Sequence, residues 1–118
     1  MANPRVAGKN FEYRCVRHLR DAGFENAYRV PVSGASQLVK GDVFFQAGDF
    51  LRFVVECKKT MKKSFQMDIN TLNKIGLDAK SMRRKPLLFH SYGRSPVFVT
   101  LRLKDFLEIL NKVVWNEF

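Results

Sequence analysis

Residues 42–60 read DVFFQAGDFLRFVVECKKT, and the layout of this stretch decides the fold. VFFQ and FLRFVVECK are rich in Phe and Val, as strands are, and Ala47-Gly48-Asp49 supplies a turn between them. Side chains alternate along a strand, so Leu51, Phe53, Val55 and Cys57 share one face. All four are apolar and look into a core. Arg52, Val54, Glu56 and Lys58 share the other face. A three-residue loop, Gly48 to Phe50, sets Asp42 opposite Glu56; a register one residue off turns Asp42 to the wrong face. In the first register two carboxylates converge beside Lys58, where the strand changes from apolar to polar.

Outward from the hairpin, the N-terminal side predicts a helix from about Gly8 to Ala22, closed by Gly23. A short extended run, AYRVPV, and a loop, SGASQLVKG, lead into the hairpin. On the C-terminal side a helix is expected within residues 68–84. Ile69, Leu72, Ile75, Ala79 and Met82 lie roughly on one side of it, and Pro86 bounds it. Two more strands, LLFHSY and PVFVTLRL, precede a helix from about Lys104, in which Phe106, Leu107, Leu110, Val113 and Val114 recur at helical spacing. The order helix, three strands, helix, two strands, helix predicts an α/β fold: a mixed sheet of about five strands flanked by helices.

The 118 residues make one domain, and a hydrophobic fraction of 46% with 11 Phe is enough for a core without disulfide or metal staples. Cys15 and Cys57 fall in apolar patterns and read as buried thiols of a reducing, cytoplasmic setting. No apolar run is long enough for a signal peptide or a membrane span. Lys and Arg total 21 against 11 acids, a net charge of +10. An excess of that size in so small a domain points to a polyanion; an anionic membrane is a weaker rival, because no single basic amphipathic helix dominates.

On a helical wheel with Phe11 at zero, Ala22, Cys15, Leu19 and Val16 span an arc of about 140° and Glu12 falls inside it. An ionised acid on an apolar arc needs a cation, and a bound metal ion is one candidate. Asp42 and Glu56, once close, also repel unless a cation lies between them. Hard oxygen ligands select Mg²⁺ or Mn²⁺, which retain waters and reach substrate phosphates. Lys58 is placed to orient or activate a water, or to neutralise charge building on phosphorus. The structural alternative for Asp42, Glu56 and Lys58 alone is a surface salt-bridge set.

The pieces GKNFEYRCVRHLRDAGF, RVPVSGAS, KGDVFF and VVECKKT, in this order, resemble the PD-(D/E)xK nuclease superfamily, and more narrowly its archaeal and phage-type Holliday junction resolvases. The resemblance spans about Gly8 to Thr60. It implies a restriction-endonuclease-like fold and a homodimeric, Mg²⁺-dependent endonuclease that cuts four-way junctions by paired nicks. Glu12, Asp42 and Glu56 match the family's acidic, metal-holding positions and Lys58 its lysine. Ser33 matches a loop serine near the scissile phosphate. The superfamily often has Pro before its Asp; here Gly41 stands there.

Candidate phosphate contacts are Lys59, Lys62 and Lys63 after the site, with Lys9, Arg14, Arg17, Arg29 and Lys40 flanking it. Arg83, Arg84 and Lys85 form a separate run. His18 and His90 are isolated and read as structural. A homodimer would match the near two-fold symmetry of a junction, and Trp115 and Phe118 are candidate interface anchors. Two alternatives stand beside the junction nuclease: a nuclease of the same superfamily acting on duplex, flap or mismatch, and a DNA-binding module without catalysis.

Overall fold

The computed structural model describes residues 4–31 and 41–116, with side chains described between residues 7 and 114. Ser33, Lys40 and Phe118 lie outside the described residues, as does the side chain of Trp115. The elements are α1 (Pro4–Asp21), β1 (Tyr28–Arg29), β2 (Val43–Ala47), β3 (Leu51–Thr60), α2 (Ile69–Ser81), β4 (Lys85–Tyr92), β5 (Phe98–Thr100) and α3 (Leu103–Asn116). This is the expected order, with α1 beginning one turn earlier than its apolar periodicity indicates. Pro86 does more than bound α2: it is the second residue of β4.

One five-stranded sheet runs in the order β1-β2-β3-β4-β5. The β3–β4 pair is parallel, with α2 as its crossover, and the other pairs are antiparallel. Ala47 pairs with Leu51 and Val43 with Val55, which is the register of a Gly48–Phe50 loop. Gly48 has φ +65, a turn conformation that glycine adopts without steric cost.

The alternation along β3 builds both layers. Leu51, Phe53, Val55 and Cys57 pack with Phe11, Cys15, Val16 and Leu19 of α1, and Ile109 of α3 joins that cluster. On the opposite face Val54 packs with Val30, Phe44, Ala79 and Met82, which carries α2. Phe45 and Phe53 stack with ring centroids 4.7 Å apart.

The third helix departs from expectation in part. Its apolar residues exceed what one face on the sheet needs, and the structure turns most of them outward: among its described residues only Asp105 is fully buried, held by Arg102 at 2.7 Å. Leu103, Phe106, Leu107, Leu110, Val113 and Val114 are 44–70% exposed. Helical spacing determines which residues share a face; what that face meets is decided by tertiary contacts, here the Arg102–Asp105 pair and the Lys85–Glu108 pair. No helix among the described residues is long and apolar enough to cross a membrane.

Candidate active site

The site is built where β2 begins. Gly41 has φ +94, and a Cβ there would lie 2.3 Å from Val54 Cγ2. Only glycine fits that approach, and proline, whose ring holds φ near −65°, cannot adopt it. The next residue extends the ladder beyond β2. Asp42 N–H donates to Val55 O at 2.9 Å, and Val30 N–H donates to Asp42 O at 2.9 Å. The Asp42 carboxylate accepts the Cys57 N–H at 2.8 Å through Oδ2. The β2–β3 register therefore sets Asp42 across from Glu56.

Burial, the charge of Asp42 and a hydrogen bond with its carboxyl push Glu56 up to about 7, against the pull of Lys58. Asp78 of α2 adds to the push. Glu56 and Lys58 line a pocket of about 250 Å³ between β3 and α2, with Met67, Thr71, Lys74, Ile75, Asp78 and Gly41 around them. Thr71, Lys74 and Asp78 are site neighbours that sequence reading missed. Their signal is the helix wheel, on which positions 71, 74 and 78 share one flank of α2.

Glu12 approaches from the α1 side. Burial and repulsion from Asp42 raise its pKa; Arg29, whose Nε donates to Glu12 Oε1 at 3.2 Å, and Lys9 act the other way. The guanidinium of Arg29 also lies over the Tyr13 ring, 4.5 Å from its centroid. The cation that Glu12 needed is therefore Arg29. The cage of Glu12, Asp42 and Glu56 expected from sequence is not gathered into one group: among the described residues no three His, Cys, Asp or Glu side chains could hold a metal ion together. The physical reason is placement, since Glu12 rides on the helix that covers one sheet face and Glu56 projects from the other.

The chemistry of the remaining pair still fits a hard divalent cation. Asp42 and Glu56 repel each other, and a carboxyl raised to about 7 is half protonated at neutral pH until a cation is supplied. Two oxygen donors with water and phosphate completing the shell is the usual arrangement for Mg²⁺.

Of the other expected residues, Lys59, Lys62 and Lys63 are exposed beyond the site, and Lys9 and Arg17 are exposed on α1, with Arg14 half-buried. Arg83, Arg84 and Lys85 lie at the other end of β3 and β4, away from Glu56. Arg84 is partly spent inside the chain: its guanidinium lies 3.9 Å from the Phe44 ring centroid and donates to Phe53 O at 3.0 Å. His90 is neighbour to Lys58 across the β3–β4 pair. Its Nδ1 lies 3.1 Å from the Tyr92 hydroxyl and its Nε2 2.8 Å from Thr100 Oγ1. Cys15 and Cys57 are free thiols. A hydrogen bond with Cys15, together with burial, holds the Cys57 thiol well above its ordinary value.

A mixed sheet that carries an Asp on one strand, Glu-x-Lys on its neighbour and a Glu-bearing helix across one face defines the PD-(D/E)xK class of nucleases. Comparison narrows this. The family model described as "Phage putative PDDEXK endonuclease" matches residues 3–118, and the chain belongs to that family. Its fold is similar to that of Archaeoglobus fulgidus Hjc, described as a Holliday junction resolvase from an archaeal hyperthermophile. The TM-score is 0.66 at 19% identity, over 80% of this chain and 76% of the other. A search of the curated proteins found no match.

Proposed function

We propose that this chain is a single nuclease domain that cuts branched DNA, in particular four-way junctions, by paired nicks, with Mg²⁺ as its cofactor and Mn²⁺ as a substitute. The observation that carries the reading is the opposition of Asp42 and Glu56 across the β2–β3 ladder, with Lys58 two residues further along the same face. Two acids brought together this way, one raised to about 7, lack only a cation. Asp42 and Glu56 would hold the ion, which supplies positive charge at the scissile phosphate and acidifies a water. Lys58 stands beside them to orient that water or to neutralise charge on phosphorus. Glu12 holds Arg29 on the α1 side of the site, and Ser33 is assigned to the scissile phosphate by resemblance alone.

The net charge of +10 suits a DNA backbone. Lys9, Arg14 and Arg17 on α1 and Lys59, Lys62 and Lys63 beyond β3 are the contacts nearest the acids. The similarity to a junction resolvase supports the branched substrate over plain duplex. A homodimer would place two such sites about the two-fold axis of a junction. The exposed apolar face of α3 is the surface offered for the second copy. Its six large side chains, Leu103, Phe106, Leu107, Leu110, Val113 and Val114, are 44–70% exposed and form a contiguous apolar stripe of the kind that marks a protein contact.

Cleavage of a labelled four-way junction with Mg²⁺ tests the reading. Asp42→Ala or Glu56→Ala should abolish cutting and leave junction binding largely intact. Either variant cutting at the normal rate would remove these residues from the site. A preference for linear duplex over junction would move the chain to the restriction or repair type. Failure to cut any DNA with any metal would favour a binding module.

A further inference from the structure

The helix α2 has a second inhabited flank. Thr71, Lys74 and Asp78 border the pocket of Glu56 and Lys58. Asn73, Gly76, Leu77 and Lys80, roughly opposite on the wheel, border a larger cleft of about 680 Å³ between α2, α3 and the start of β3 and β4. The cleft is lined by eight basic and two acidic residues. Both acids are already matched, Asp105 by Arg102 and Glu108 by Lys85. That leaves a net excess of six positive charges around the cavity, one of them, on Arg84, held against the Phe44 ring and Phe53 O.

Two backbone features accompany this concentration of charge. The end of α2 closes with Arg83 N–H donating to Lys80 O at 3.0 Å and Arg84 N–H to Ala79 O at 2.9 Å. This closure puts Arg83 at φ +57, the left-handed position usually given to glycine, so a strained backbone carries a cation where a residue without a side chain would cost less. In mid-helix, Gly76 does the reverse. A Cβ there would stand 3.0 Å from Arg102 Nη1, so the missing side chain lets a guanidinium lie against α2. The chain thus has an arginine where glycine is favoured, and a glycine where a helix former is favoured, both on this cleft.

We infer that the cleft is a second DNA-backbone site, which takes the phosphates of an arm other than the one being cut. Arg52, which lines it, is six residues before Lys58 on the same face of β3, or roughly 20 Å away along the strand. With α2 as the wall between them, one straight backbone laid against the carboxylates runs along one flank, whereas a branch point sends a second backbone to the other. The inference rests on the nuclease reading for the first site and extends it with a device for telling branched from linear DNA. The chemistry recognised is phosphate, so a free phosphate ion is the competing source.

The test compares the unmodified chain with Lys80→Glu/Lys104→Glu and with the milder Lys80→Gln/Lys104→Gln, in EDTA so that no DNA is cut. Binding of a four-way junction and of a linear duplex of equal length is measured across a salt series. The expected result is a loss of tenfold or more in junction affinity for the charge-reversed pair and a smaller loss for the neutral pair. The salt slope should become shallower by about two phosphates, and the junction-to-duplex affinity ratio should fall towards one. Equal losses on junction and duplex, or an unchanged slope in both variants, would overturn the inference. So would competition by a few millimolar inorganic phosphate that abolishes the difference between variants and the unmodified chain, since that assigns the cleft to a small anion. Cleavage by the unmodified chain with Mg²⁺ is scored separately. A chain that cuts junctions while the variants bind them as well as it does loses only the second site. A chain that cuts nothing but shows the cleft-dependent slope loses the nuclease and keeps the cleft.

Discussion

Glu56 offers a test of the site that needs no DNA. Its carboxyl is raised from 4.5 to about 7 in the folded chain, by burial first and by Asp42 second. For an acid with a raised folded pKa, the folded state binds the proton more tightly than the unfolded state. Its contribution to stability is fully present below pH 4.5 and is lost as pH climbs through 7. A rise from 4.5 to about 7, at about 1.36 kcal/mol for each tenfold change in proton affinity, is worth roughly 3 kcal/mol. For a chain of this length that is a fall in Tm on the order of 10 °C between pH 5 and pH 8. The assay is thermal melting by circular dichroism in EDTA at half-unit pH steps, on the unmodified chain and on Glu56→Gln. The variant should lose most of the slope, and the difference between the two curves isolates this residue from the others that titrate. Mg²⁺ should restore stability at pH 8, where the carboxylates are ionised, and have little effect at pH 5. Parallel curves for the two proteins, or a Mg²⁺ effect independent of pH, would refute the electrostatic account of the pair.

Arg83→Gly should raise stability by about 1 kcal/mol, because glycine adopts φ +57 without the cost borne by a side chain; urea denaturation measures it. Gly41→Ala should cost about 2 kcal/mol or more and lower junction cleavage at least 100-fold, since its Cβ must push Val54 aside and carries Asp42 with it. Val55→Ala, at a fully buried position between Phe53 and Cys57, should cost about 2–3 kcal/mol through the cavity it leaves, with binding of DNA to the surviving fold unaltered. The unmodified chain should sediment as a dimer at micromolar concentration, and Leu107→Glu/Leu110→Glu on the exposed face of α3 should sediment as a monomer; identical sedimentation of the two would remove that face from the interface.

Much of this architecture is legible in the residues themselves. The hairpin register follows from one turn and one alternation: Leu51, Phe53 and Val55 must be buried, and the Gly48 turn allows only a short loop. The order of elements follows from glycine stops and period changes. The partner of Glu12 is not legible, because Arg29 reaches it from β1, 17 residues on, and nothing local in AYRVPV marks that arginine as an ion-pair partner. The outward stripe of α3 was hidden for the same reason. Asp105 looks like a surface residue until Arg102 is seen beside it, and only then does the helix turn its leucines and valines away from the sheet. Thr71, Lys74 and Asp78 were in reach of a wheel but carried no motif. Arg83, Arg84 and Lys85 were visible as charge, and their distance from the acids was not, since it depends on the parallel pairing of β3 with β4.

The glycine before Asp42 has a consequence for how such chains are found. A pattern keyed to a proline–aspartate pair assumes a rigid ring as the means of delivering the acid. Here the delivery is made by a tight bend against a valine and by three main-chain bonds around the acid, one of them to its own side chain. The same placement of the acid is thus open to sequences with a different residue before it, and a search for the written motif will pass them by while a search for the bend will not.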